Sequence, residues 1–443
     1  MRALFSNTTR SNLVAVGDSA LFNNGLNVTM DFHAAKNTAI GSKALFANTI
    51  GYDNAAFGYN ALLNNTEGQH NTANGADALR SNTIGFYNTA SGANALNSNT
   101  TGNNNSAMGG DALRSNVDGS FNTAIGRNAL FTNTMGSSNT ASGVQALSNN
   151  TEGSNNTANG RTALFRNTTG NGNVGIGTSA LFENTTRSNL VAVGDSALHN
   201  NGLDATQAMH GTANTAVGSK ALFANKTGFG NTANGAAALR SNTLGNFNTA
   251  NGVNALYSNS TGFSNTANGV DALYSNTTGI FNTANGISAL RFNTEGSNNT
   301  ANGADALLNN SMGNSNTAFG TAAGRNNQAG SGNVFIGSQA GFNETGSNKL
   351  YINNNNGNAN NALLYGEFDT QRLRIQNKLG IGRLPSTYPL EIQALAGTDD
   401  LLQFFNAAGT ARWHLNLLPN GSLNFTESPA ATNRLVLGIG GEV

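Results

Sequence analysis

The sequence predicts an all-β fold, a parallel β-solenoid built from 17-residue rungs, and three observations carry that prediction. The first is spacing. A series of glycines 17 residues apart runs from Gly58 through Gly75 and Gly92 to Gly194, and resumes from Gly218 to Gly337; a fixed period of this kind is the signature of a solenoid. The second is the constancy of the columns around this ruler glycine. Ala stands two residues before it (Ala39, Ala56, Ala73), broken only by Gly175 and Phe335; Ala stands three residues after it from Ala20 to Ala340, and Leu four residues after it from Leu21 to Leu307. Side chains this constant in size describe a thin interior in which Leu stacks on Leu from rung to rung. The third is the density of Asn and Gly, with 55 glycines in 443 residues, which a helical solenoid has no use for.

The stretch Asn71–Tyr87, NTANGADALRSNTIGFY, shows what each part of a rung must do. The segment before the glycine alternates, as in Thr123, Ala124, Ile125, and is short enough for one strand. The ruler glycine either takes a positive φ or lies against another backbone, since only glycine does either without steric cost. The Asn-Thr-x-Gly near the end of the unit, such as Asn82 to Gly85, reads as a turn in which Asn bonds its own backbone. One rung is therefore expected to hold two short strands and two turns. A single rung cannot offset its own ordering entropy, so the rungs must stack, and side-by-side packing of coils would bury the Ala faces a second time.

Between Gly17 and Gly41, and again between Gly194 and Gly218, the spacing is 24. The seven extra residues must leave the coil, and they define two inserts, 26–36 and 203–214. The first carries Met30, Phe32 and His33, the second Met209 and His210. These five residues are the candidate recognition or subunit-locking positions; His33 and His210 lack the partnered carboxylates that a metal site would add, so no metal is assigned. Residues Leu4 to Asn48 match Leu181 to Asn225 at an offset of 177, so a whole block of rungs is duplicated. Arg2–Phe5 aligns with Ser179–Phe182, which puts the start of the chain inside a repeat.

Past Gly337 the pattern fades. The shaft is expected to span 1–345, followed by a transition β segment over 346–384, where Leu373, Ile375, Leu379 and Ile381 suggest strands. Pro385 and Pro389 then open a small C-terminal β domain, 385–443, with Phe404, Phe405, Phe425 and the only Trp, Trp413, as core. The 22 basic and 22 acidic residues cancel, and only 10% of the chain is charged. That argues against nucleic acid or an anionic membrane as partner, since either calls for a basic face. No apolar run is long enough to span a bilayer, and the absence of Cys fits an extracellular chain stabilised without disulfides.

The units NTAIGRNALFTNTMGSSNTASG, with NKLYINNNNGNANNALLYGEF, LGIGRLPSTYPLEI and LLQFFNAAGTARWHLN further on, resemble the tail-fibre-domain surface proteins of Bacteroidota and their phages. More distantly, NTAIG at Asn122–Gly126 and VAVG at Val14–Gly17 are similar to the repeat of YadA-type trimeric autotransporter adhesin heads. The resemblance implies a trimeric, left-handed parallel β-roll on a cell surface or a virion-like particle, and it implies that the positions flanking the strand Ala, here Thr123 and Ile125, point inward.

The expected function is a structural fibre or adhesin, extracellular and homotrimeric, attaching to a cell-surface glycan or protein receptor; no enzyme activity, no cofactor and no catalytic residue are assigned. Two alternatives stand beside it. An ice- or crystal-binding solenoid would use the Thr column Thr72, Thr89, Thr123, Thr140, Thr157, whose partner two residues on is Asn, Ser or Ile rather than a second Thr. A polysaccharide-degrading tailspike would need paired carboxylates in one cleft, and no acidic pair recurs in the columns.

Overall fold

The computed structural model describes residues 3–381 apart from Thr8 and Asn27, and beyond them residues 390–392, 400–405, 411–417, 422–427 and 432–437. Pro385 and Pro389 lie outside the described residues. The chain divides into two compact units, residues 1–348 with 354–356, and residues 349–353 with 357–443. No helix occurs among the described residues.

The first unit is the parallel solenoid. It contains nineteen three-residue strands, from β1 (Val14–Val16) to β19 (Val334–Ile336), one per rung. Neighbouring strands pair in parallel and in strict register, so that Ala73 lies beside Ala90, and Ala250 beside Ala267, across every rung. Strand register places the middle residue inside: from β2 onward Ala39, Ala56, Ala73 and their equivalents are buried, while Ala15 in the end strand β1 is half-buried. The flanking residues face out, with Ile125 44% exposed and Thr123 half-buried. This reverses the inward assignment of Thr123 and Ile125 that the adhesin-head resemblance implies. The physical reason is size: the interior at this height admits a methyl group and nothing larger beside the Leu column.

The second expected strand of each rung is not formed. In its place the chain passes through two left-handed residues, two and four positions after the ruler glycine, as at Asp77 (φ 57) and Leu79 (φ 51). The first suits Asn, Asp and Ser, which tolerate this region in tight turns. The second is Leu in nearly every rung, fully buried, and its backbone cost is offset by what its side chain buries. Bonding between rungs nonetheless continues around the coil, as Leu79 N–H to Ala95 O at 3.0 Å, Ser81 N–H to Asn97 O at 2.9 Å and Thr83 N–H to Thr100 O at 3.1 Å. The ruler glycine satisfies both of its expected reasons. Gly109 has φ 132, and a Cβ on it would stand 2.7 Å from the backbone carbon of Gly126 in the next rung.

The interior is polar as well as apolar. Two Asn columns are wholly buried, one headed by Asn48, Asn65, Asn82 and Asn99, the other by Asn37, Asn54, Asn71 and Asn88. In the first, outside the two insert rungs, the side-chain amide donates to the Oδ1 of the Asn one rung earlier, as Asn99 Nδ2 to Asn82 Oδ1 at 2.8 Å. The same Nδ2 donates to the carbonyl three residues on, Gly102, at 2.9 Å. In the second column the backbone N–H of Asn105 donates to Asn88 Oδ1 at 3.0 Å, and Asn88 Nδ2 reaches the same Gly102 carbonyl at 2.8 Å. That carbonyl thus fills both lone pairs, and a Cβ on Gly102 would collide with Asn99 Oδ1 and the Gly119 carbonyl. The Asn-Thr-x-Gly motif is a turn, but its Asn also points inward and runs an amide ladder along the axis.

The Ala columns are already closed inside a single chain, so the Ala faces are not what packing of coils side by side would bury. The second unit contains an antiparallel meander of β20 (Lys349–Ile352), β21 (Leu364–Glu367) and β22 (Arg372–Ile375), a parallel pair of β23 (Leu379–Ile381) and β24 (Leu390–Ile392), and an antiparallel sheet of β25 (Asp400–Phe405), β26 (Ala411–Leu417), β27 (Leu423–Glu427) and β28 (Thr432–Leu437). The half-buried Trp413 stacks on Phe425 at 5.3 Å between ring centres.

Candidate functional site

The parts of the solenoid that differ from rung to rung are the two inserts and the residues displayed on the turns beside them. Each insert leaves the coil directly after a buried ladder Asn and returns at the position where other rungs hold glycine. Asn24 Nδ2 donates to Ala34 O at 3.0 Å, and Asn201 Nδ2 to Gly211 O at 2.8 Å. The extruded residues are therefore 25–33 and 202–210, each nine long where an ordinary rung has two. Asn214, at the edge of the sequence-defined insert, is back inside the ladder.

Both inserts are braced in the same way. The preceding rung carries Arg in place of the turn glycine, and Arg10 Nη1 donates to Asp31 O at 3.0 Å, as Arg187 Nη1 does to Ala208 O at 3.1 Å. The histidines close the loops on themselves: Thr29 N–H faces His33 Nδ1 at 3.4 Å, and Thr206 N–H faces His210 Nδ1 at 3.4 Å. In the second insert Lys226 Nζ adds an exposed ion pair to Asp204 at 3.0 Å. The Asn ladder breaks at each insert, leaving the Oδ1 atoms of Asn7 and Asn184 without a partner. A groove of about 420 Å³ lies beside the second insert, lined by Thr186, Arg187, Ser188, Asn189, Ala208 and Thr212 among others.

Met30, Phe32 and Met209 are each at least half exposed, and His33 and His210 are half-buried. The structure does not gather the five into one site. The inserts are ten rungs apart, roughly 48 Å at ~4.8 Å per rung, so His33 and His210 of one chain share no ion. Among the described residues no group of three or more His, Cys, Asp or Glu side chains comes together.

Phe32 does acquire company that the sequence reading passed over. Its ring meets Tyr52 edge to face at 5.2 Å, Tyr52 meets His70 at 5.3 Å, and His70 stacks on Tyr87 at 4.7 Å. The rungs after the second insert repeat the theme with Phe229 against Phe247 at 5.1 Å and Phe263 against Phe281 at 5.2 Å. The signal was present in the columns five and six residues before the ruler glycine, where aromatics alternate with Asn, Ser and Gly.

A further ladder of rings, five residues after the ruler glycine, stacks Phe165, Phe182, His199 and Phe223 at 5.1 Å intervals, and Arg240 lies over Tyr257 and also bonds its hydroxyl. These rings are half-buried against one another.

Comparison with protein-family models, curated proteins and solved structures finds no match to this chain.

Proposed function

We propose that the chain is a structural fibre or adhesin, an extracellular or particle-borne shaft that assembles as a homotrimer and mediates attachment to a surface. One observation carries the reading: an in-register stack of strands from β1 to β19 with one unchanging cross-section. Such a chain spends its sequence on length and stiffness, and it presents nearly the same surface again and again, which favours multivalent contact. The outward column just before the ruler glycine, with Ile40, Phe57, Met108, Ile125 and Phe319 exposed, is the apolar surface that packing of copies would cover. Electron microscopy together with light scattering tests the reading. Rods roughly 90 Å long, from nineteen rungs at ~4.8 Å, with the mass of three chains and retention on cells or particles, are expected. A folded monomer at micromolar concentration that holds to no surface would overturn it.

A second reading, binding to ice or another crystal face, is favoured by one feature. Thr215, Thr232, Thr249, Thr266, Thr283 and Thr300 stand in register on the outer face of the sheet. The neighbouring outward Asn amides bond one another along the axis, as Asn268 Nδ2 to Asn285 Oδ1 at 2.7 Å, and so are drawn away from a lattice. An ice-recrystallisation assay separates the two readings.

A further inference from the structure

In each rung the residue five positions before the ruler glycine occupies a left-handed turn. Most rungs fill it with residues that accept such a backbone, among them Asp53 (φ 52), Asn104 (φ 56), Ser138 (φ 58) and Gly172 (φ 64). Five rungs instead place a ring there: His70 (φ 55), Tyr87 (φ 56), Phe121 (φ 61), Phe247 (φ 56) and Phe281 (φ 56). A bulky side chain in this region is strained, and strain that persists marks a functional constraint. Burial does not repay it, because Tyr87, Phe121, Phe247 and Phe281 are all more than half exposed. The arrangement is also accommodated. Gly230 lies under the Phe247 ring, where a Cβ would stand 2.8 Å from Phe247 Cδ1.

These rings lie in two strips, one on the rungs after each insert, and three positions of the strips are related by the duplication, while Tyr87 and Phe281 correspond to Ser264 and Asn104. Tyr52, His70 and Phe86 correspond to Phe229, Phe247 and Phe263 at the offset of 177. We propose that the two strips are glycan-binding platforms that hold a neutral polysaccharide running along the solenoid axis. Exposed ring faces stack on the C–H faces of pyranose rings, and the turns around them supply the amides and hydroxyls of Asn, Ser and Thr that bond sugar hydroxyls. With 10% charged residues and no net charge, the surface complements a neutral ligand. A second copy of the chain fits less well. Four half-exposed rings offer roughly 100 Å² each, well short of the ~800 Å² per partner of a stable interface, and polar turn residues separate them. Two platforms on one shaft add avidity for a long chain.

This inference rests on the attachment reading and names the ligand class and its place. Affinity electrophoresis of the full chain in gels containing galactomannan, mixed-linkage β-glucan or dextran, with alginate as the anionic control, tests it. The variants are His70→Asn/Tyr87→Ser and Phe247→Ser/Phe281→Asn, each taken from residues the same column uses elsewhere. Expected is retardation by at least one neutral polysaccharide, weakened roughly tenfold by each pair, with the melting temperature unchanged or raised because strain is relieved. The inference is overturned by retardation that survives all four substitutions, by retardation in alginate alone, or by none in any gel. Loss of binding together with a change of mass in solution would also overturn it, assigning the strips to contact between copies. If the wild-type chain holds to cells but is free in every gel, only this inference fails; if it holds to neither, the attachment reading fails with it.

Discussion

At the scale of single residues, two features run against ordinary propensity. Leu sits in the left-handed region at φ 50–55 in rung after rung, and Asn is buried without exposure in two columns. Both are stable for one reason, that the next rung repeats them. A Leu held in that backbone drives its side chain onto the Leu above and below, and a buried amide meets another amide at hydrogen-bond distance on each side. The ladder makes a prediction. Asn99→Ala removes the donor to Asn82 Oδ1 and Gly102 O and the acceptor of Asn116 Nδ2. Each buried polar group left unpaired costs about 1–3 kcal/mol. The variant is expected to melt lower and to lose amide-exchange protection first in the rungs holding Asn82 and Asn116; unchanged protection there would show that the ladder contributes nothing.

Among elements, the last rungs show how one departure from the repeat answers another. Gly324 and Gly341 take the place of the column Leu, keeping φ at 61 and 60, while Phe335 takes the place of the strand Ala and is fully buried. Side chains on either glycine would collide with the Phe335 ring, so one aromatic fills the room that two leucines vacate. Phe335→Ala alone is expected to cost about 3–5 kcal/mol. Restoring the repeat with Gly324→Leu and Gly341→Leu on that background should recover most of it in a denaturant titration, whereas the two leucines added to wild type should destabilise. In the second unit, β21 carries Glu367, whose carboxyl is held below its ordinary value of 4.5 by the Thr370 hydroxyl, then by the Tyr365 hydroxyl, with burial opposing and Lys349 at 3.6 Å assisting. A carboxyl lowered on folding stabilises the fold above its unfolded pKa and loses that contribution as pH falls through the lowered one. Protection factors of the amides in β20–β22, taken relative to the intrinsic exchange rate at each pH, should therefore fall on acidification, and Glu367→Gln should flatten that dependence.

For the whole molecule, the outcome that matters is which surface remains for other molecules. The Ala columns are spent inside the coil, so Ala250→Leu, in the strand Thr249–Asn251, overpacks the interior at about 1–3 kcal/mol. Its stability should fall while the mass of the surviving assembly stays that of wild type; dissociation ahead of unfolding would place Ala250 at a contact between chains. Both inserts, and the rings Tyr52, His70 and Phe86 with Phe229, Phe247 and Phe263, recur at 177 residues, so the shaft presents these surfaces twice.

The sequence by itself determined the solenoid, its 17-residue rung, the Leu and Ala interior and the reason for the ruler glycine, because each is a demand that nearly every rung repeats, and it placed the inserts because they are the two points where the spacing lengthens to 24. It also showed the strands near Leu373, Ile375, Leu379 and Ile381, which form β22 and β23. Only the tertiary structure decided that a rung has one strand rather than two, that Thr123 and Ile125 face outward, and that the Asn columns lie inside. A turn Asn and a ladder Asn are the same letter, and whether its amide meets water or another amide depends on the rung above it. The aromatic strips were hidden for the same reason: Tyr52, His70 and Tyr87 stand 17 or 18 residues apart in the chain, and stacking alone brings their rings to about 5 Å.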